Sequence, residues 1–70
     1  MAAQQQSPLT ILRRKQVEAR TGLARSTIYD HVRAGTFPAP ISLGGKAVGW
    51  IESEIDAWLT AQVEKSRKAA

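Results

Sequence analysis

Seven polar side chains between positions 25 and 33 are the densest concentration of potential chemistry in this sequence, and Arg25, Ser26, Tyr29, Asp30 and Arg33 are the five that face outward or stand at the edge of a helix there. On a helix, at about 100° per residue, Ser26, Asp30 and Arg33 share one side. Tyr29 flanks them and Arg25 stands at the N-terminal edge, while Ala24, Ile28, His31 and Val32 gather on the opposite side. Arginine can donate two parallel bonds to a guanine or pair with a phosphate, and serine can bond to either a phosphate or a base edge. The tyrosine hydroxyl can reach a phosphate while its ring packs on sugar. An outward aspartate repels phosphate, so it either faces solvent or accepts from a base amino group such as that of cytosine. One apolar seam and a polar outer face suit the major groove of duplex DNA, about 12 Å wide. The helix N-terminus adds partial positive charge toward phosphate.

Two further basic features could support such a helix. Lys46 follows Gly44-Gly45 at the turn of a hairpin signal, where small residues let the backbone approach a phosphate closely. Arg14 and Lys15 belong to the run Arg13-Arg14-Lys15 around the start of the first helix and are expected, with Lys46, to hold the DNA backbone.

Other chemistry is poorly provided for. With no cysteine there is no disulfide, thiolate metal site or cysteine nucleophile. His31 is the single histidine, so the usual imidazole clusters of zinc sites are absent. It falls toward the apolar side of its helix and is expected at the edge of the core, one nitrogen bonded to backbone or water. Asp30 is no catalytic partner for it, because adjacent helical residues do not face each other. Trp50 and Trp58 are both expected in the core. No triad or phosphate loop is visible, and neither catalysis, a cofactor, a metal nor a small-molecule ligand is expected.

The composition agrees. The chain has 70 residues, a net charge of +4 and 43% apolar residues, enough for one folded domain but too few for a deep cleft. Residues 1–50 carry seven bases and two acids, net +5, and residues 51–70 carry three bases and four acids, net −1. The basic excess thus belongs to the first two-thirds and favours an anionic partner. No run approaches the roughly 20 apolar residues of a membrane span, and no secretory h-region is visible. A cytoplasmic, nucleoid-associated location is expected.

The elements that must position these residues follow from pattern and punctuation. Residues 1–8 read as a flexible tail, and Leu9 to Leu12 as an extended apolar piece entering the core. Lys15 to Thr21 reads as a helix ended by Gly22, with Val17 inward and Ala19, Thr21 and the stem of Arg20 as possible helpers. Arg25 to Ala34 reads as a second helix stopped by Gly35, with Ile28 and Val32 as its seam. Thr36 to Pro40 is a linker, since its two prolines exclude helix, and Phe37 is its anchor. Ile41–Leu43 and Val48–Trp50 alternate as strands around Gly44-Gly45-Lys46. Ser53 to Asp56 resembles a capping box for a last helix with Ile55, Trp58, Leu59, Gln62 and Val63 on one face; residues 65–70 are expected to fray.

Two short helices about a glycine turn are the outline of a helix-turn-helix, and a following basic hairpin makes a wing. The segment TGLARSTIYDHVRAGTFPAPISLGGKAVGWIESEIDAWL resembles the AlpA family of prophage regulators, relatives of small winged-helix excisionases and of MerR-type DNA-binding domains. The resemblance covers about residues 9–64. It is carried by TGL-x-RSTIY, the FP-x-P linker, the LGG-K-A-VGW wing and the ESE-x-x-AWL helix. It implies a mainly α, small winged helix-turn-helix domain over residues 9–64 that binds DNA. Arg25, Ser26, Thr27 and Tyr29 would lie on or at the start of the recognition helix, and Lys46 on the wing. The chain departs from the family pattern at three places. Ala24 stands where the family often has serine, a cap whose loss typically costs about 1 kcal/mol unless Ser26 takes over. Asp30 and His31 replace positions that are often basic and apolar respectively. Arg13-Arg14-Lys15 is more basic than the usual start of the first helix.

The expected function is sequence-specific binding of double-stranded DNA as a transcriptional regulator of a prophage or integrated element. Arg33 joins the reading face through its position beside Ser26 and Asp30. An excisionase-like architectural role in site-specific recombination uses the same contacts and stays open, as does a protein-interaction adaptor of the same fold. Duplex DNA is the expected partner, with cooperative self-association on DNA, or an integrase, as further partners.

Overall fold

The structure, a computed structural model, describes residues 9–69; the tail expected at residues 1–8 lies outside the described residues. The elements in chain order are β1 (Ile11–Leu12), α1 (Arg14–Thr21), α2 (Arg25–Ala34), β2 (Ile41–Gly44), β3 (Ala47–Ile51) and α3 (Glu52–Ala69).

Helix α1 begins one residue earlier than the pattern suggests. The Gln16 side chain accepts a bond from the Arg13 N–H at 2.8 Å, and the Val17 N–H donates to the Arg13 carbonyl at 3.0 Å. The helix ends at Gly22, whose φ of 75° would strain any side chain, and Leu23-Ala24 completes the turn into α2. Helix α2 keeps its expected bounds. Ala24 is its extended N-terminal residue and carries no side-chain cap, so Ser26 does not take over the role. Only the Ala24 carbonyl engages, accepting from the Ile28 N–H at 3.0 Å.

The expected two-stranded hairpin is part of a three-stranded antiparallel sheet in the order β1-β3-β2. Ile41 pairs with Gly49 and Ser42 with Val48. The register then shifts, so that Gly44 faces Ala47 and Leu43 is the extra residue. On the other edge Ile11 pairs with Ile51 and Leu12 with Trp50. The central strand has room for this third strand because Gly49 has no side chain. A Cβ there would lie far inside van der Waals contact with Ile11 Cγ2, and 3.2 Å from both the Leu12 carbonyl oxygen and Leu43 Cδ1.

Six side chains form the buried core: Leu12, Val17, Ile28, Phe37, Trp50 and Ile55. They come from β1, α1, α2, the linker, β3 and α3 respectively, one from each. Full burial of such a side chain is worth about 1.5–3 kcal/mol. Leu23, Tyr29, Val32, Val48, Trp58 and Leu59 pack around them, half-buried. Of the helpers expected beside Val17, only Thr21 is half-buried, whereas Ala19 and Arg20 are exposed. The linker is pinned by both indoles. Trp50 Nε1 donates to the Pro38 carbonyl at 2.9 Å, and Trp58 Nε1 to that of Thr36 at 2.6 Å. Trp58 is thus a half-buried strut, its ring edge-on to Phe37 at 4.8 Å between centroids, and not the fully buried core residue expected.

Helix α3 departs from expectation at both ends. It starts at Glu52, directly after β3, and the Glu52 N–H donates to the Thr10 carbonyl at 2.8 Å. That tie from the neighbouring strand supplies the partner a capping box would have offered, and leaves Ser53 inside the first turn. The helix continues to Ala69, so the described part of the segment expected to fray, residues 65–69, is helical; no glycine or proline interrupts it, and Arg67 and Lys68 suit its C-terminal dipole. Gln62 is still half-buried, but from Val63, 47% exposed, to Lys68 every residue is exposed, so the stripe stops short of Val63.

Candidate nucleic-acid interface

The opening residues of α1, the middle of α2 and the hairpin turn converge on one concave surface. Arg13, Arg14, Lys15, Tyr29, Lys46 and Val48 line a groove of about 350 Å³. Four of its six lining residues are cations, which concentrates positive potential in a recess. Of the residues singled out from the sequence, Arg14, Lys15, Tyr29 and Lys46 are brought together here, whereas Arg25, Ser26, Thr27 and Arg33 lie elsewhere on α2.

Helix and hairpin are fastened by Arg13, which precedes α1 and donates from Nε to the Val48 carbonyl of β3 at 3.0 Å. The sequence reading passed over Arg13 as a site residue. Its basic neighbours were the available signal, but a partner 35 residues away could not be read from them.

Tyr29 links the groove to the core. Its ring is half-buried and tilted against Trp50, with centroids 6.2 Å apart. The Arg25 guanidinium lies 6.0 Å from the centre of the Tyr29 ring, so Arg25 is held beside Tyr29. Ser26 is exposed, while Thr27 is half-buried. Arg33 and Asp30 pair with each other one turn apart, with side chains 76% and 67% exposed.

The pairing of the remaining charges sorts the basic residues. Arg14 pairs with Glu18 on its own helix. Arg20 spans from α1 to α3, donating to Asp56 Oδ1 at 2.8 Å and to Glu52 Oε2 at 2.7 Å. The Asp56 hydrogen bond, first among several causes, raises the Arg20 pKa above the ordinary arginine value. Arg20 is thus a brace between helices, and two of the acids on α3 belong to it. Seven basic residues form no ion pair among the described residues: Lys65, Arg67 and Lys68 lie on α3, whereas Arg13, Lys15, Arg25 and Lys46 lie in the groove or beside Tyr29.

His31 sits half-buried at the core edge, as expected, but its partner is a side chain. Nδ1 lies 3.0 Å from the Thr36 hydroxyl, and the ring packs near Phe37 and Trp58. A second, wider hollow of about 760 Å³ opens between the linker and α3, where Phe37, Pro38, Pro40, Ile41, Ala57 and Trp58 dominate its lining and Glu54 is the one charged residue. Among the described residues no three His, Asp or Glu side chains group to hold a metal, and no helix is long and apolar enough to cross a membrane.

The family model described as "Prophage CP4-57 regulatory protein (AlpA)" matches residues 10–63, which include all three sides of the groove. The chain belongs to the AlpA family. It is 48% identical over 60 residues to the "DNA-binding transcriptional activator AlpA" of Escherichia coli (strain K12), covering 77% of this chain and 86% of that protein. It is 52% identical over 42 residues to the "Uncharacterized protein ORF88" of Enterobacteria phage P4, covering 60% of this chain. The aligned region is 48% of that phage protein, so the chain spans about half the length of this relative. The family is described as one of regulatory proteins, not as an enzyme class.

Proposed function

We propose that this AlpA-family chain is a sequence-specific double-stranded DNA-binding regulator of transcription from a prophage or integrated element. Helix α2 enters the major groove with Ser26, Asp30 and Arg33 toward the bases. Its 10 residues span about 15 Å, enough to cross a groove about 12 Å wide. Arg13, Lys15, Tyr29 and Lys46 seat the DNA backbone, and Arg25 adds a contact at the start of the helix. Arg14 can join once it exchanges Glu18 for a phosphate. Thr27, half-buried, serves the helix start more than the bases.

The observation that carries this reading is the recess where three unpaired cations, Arg13, Lys15 and Lys46, surround Tyr29 next to the exposed polar face of α2. The name of the E. coli relative supports it. Such a protein works where the chromosome is, in the bacterial cytoplasm, and reaches useful specificity by occupying a site in more than one copy.

Fluorescence anisotropy with labelled duplexes over a salt series tests the reading. Neutralising about 4–6 phosphates gives a slope of log K against log salt of roughly −4 to −5. A flat response would refute DNA binding and favour the adaptor. Footprinting on the selected site then separates the two DNA-bound roles: a regulator protects a promoter, whereas an excisionase-like factor protects adjacent repeats beside a recombination site and bends them.

A further inference from the structure

The reading face of α2 carries a negative charge where a DNA-binding helix gains most from positive charge. Asp30 and Arg33 form the most exposed of the four ion pairs among the described residues; in the other three no side chain exceeds 53% exposure. So exposed a pair adds little to stability. It also fastens no second element, since the two residues lie three apart on one helix. At about 100° per residue the pair sits opposite Ile28, the residue that buries α2 in the core. The pair therefore sits at the outermost part of the helix, where a base edge would meet it.

Its hydrogen-bonding capacity is only part-used. Arg33 donates from Nη2 to Asp30 Oδ1, and neither side chain has another hydrogen-bond partner among the described residues. Arginine has five N–H donors and a carboxylate can accept at both oxygens. The pair thus presents spare donors beside a spare acceptor, with the guanidinium held in place by the carboxylate. In the major groove guanine offers two acceptors, O6 and N7, and its partner cytosine offers the N4 amino donor alongside. Toward phosphate, the same two side chains pull and push against each other. We propose that Asp30 and Arg33 act as one reading unit, which selects a guanine together with a cytosine amino group on the same or the adjacent base pair and disfavours duplex that lacks them. Arg33 donates to the guanine and Asp30 accepts from the cytosine. The carboxylate repels the backbone unless that amino group repays it. This inference rests on the DNA-binding reading above and concerns only how sequence is chosen.

The test uses the duplex that the wild-type chain selects from random sequence, a set of variants in which each G·C pair is replaced by A·T, and an unrelated duplex. Asp30→Asn removes the charge at an exposed position and leaves the core untouched, which thermal melting checks. The expected result is two- to fivefold tighter binding to the unrelated duplex and a loss of about tenfold in preference for one particular G·C pair, within what one base contact supplies. Arg33→Ala abolishes the preference for that pair or its direct neighbour, and adding Asp30→Asn to it then removes little more, as for two residues acting together. Unchanged preference in Asp30→Asn overturns the proposal, as do losses that simply add in the double variant. If the wild-type chain binds every duplex weakly and without salt dependence, the DNA-binding reading itself fails, which is a separate outcome.

Discussion

Replacing Gly49 by alanine should lower the melting temperature markedly, although the backbone there is of a kind any residue adopts. Gly49 is absent from the glycines with positive φ, so alanine gains the usual advantage of fewer unfolded conformations, about 0.4–1 kcal/mol. Against that stands the new methyl group. It would overlap Ile11 Cγ2 and sit only 3.2 Å from the Leu12 carbonyl and from Leu43 Cδ1, where carbon contacts are comfortable at about 3.5–4.0 Å. Leu43 is 43% exposed and can swing aside, but Ile11 and Leu12 are held by their pairs with Ile51 and Trp50. Relief therefore means pushing β1 off β3, which also strains the bond from Glu52 to Thr10. Overpacking of this sort costs about 1–3 kcal/mol. The clash outweighs the entropy gain, leaving a net loss of about 1–2 kcal/mol. For a domain of this size that corresponds to about 5–15 °C in melting temperature, followed by circular dichroism at 222 nm. The diagnostic arm is Ile11→Ala in the Gly49→Ala background. Removing the branched side chain frees the space, so the double variant should melt well above the sum of the two single losses. A Gly49→Ala protein that melts within about 2 °C of wild type, or strictly additive losses, would show that β1 does not pack against β3 this closely.

Lys46→Ala should weaken binding to all duplexes alike and reduce the magnitude of the salt slope by about one, read by anisotropy across a salt series; a change in base preference would contradict a backbone role for the wing. Ala24→Ser should raise the melting temperature, because Ala24 already has the extended N-cap conformation without a side-chain bond; a gain of about 1 kcal/mol is typical for such a cap, and no gain would mean that the hydroxyl cannot reach the first turn. Arg20→Met keeps the aliphatic stem and removes the bonds to Glu52 and Asp56. It should lower the melting temperature less than Gly49→Ala does, and the loss should shrink between 0.05 and 0.5 M salt (about the range over which screening becomes strong); a loss that does not depend on salt would mean that packing, not charge, is the brace.

Local signals were the legible ones. Helix α2 could be bounded from its seam, Ile28 and Val32, and its glycine stop, and the hairpin from alternation around two glycines. Val17 could be assigned inward as the apolar residue of a polar stretch, Ile28 from its seam with Val32, Phe37 as the aromatic anchor of the linker, and Trp50 from its alternation with Val48. The unreadable parts depend on distant partners. Strand β1 is two residues long and exists only through Trp50 and Ile51, nearly forty positions later. The start of α3, Glu52, is tied to the Thr10 carbonyl, so a serine with capping chemistry one position on misled. Val63 fits the helical period of Ile55 and Leu59, yet a periodic stripe cannot say where the rest of the domain ends. At the candidate interface Arg14, Lys15, Tyr29 and Lys46 were found by residue type and do share a recess. That Arg13 joins the groove follows from the placement of Val48, 35 positions away, whereas Arg14 with Glu18 and Arg33 with Asp30 pair at the local spacings of a single helix.

The core takes one side chain from each of six segments and none from β2. None of those six segments can therefore detach without opening a hole through the middle of the domain, and none forms a subset able to stay folded by itself. Melting should be all-or-none, and amide exchange in α1, α2 and β3 should report a single opening free energy instead of a ladder of them. In the DNA complex proposed above, such a body would have little internal give, and adjustment to a particular double helix would fall to β2 and the turn at Lys46, which contribute no side chain to the core.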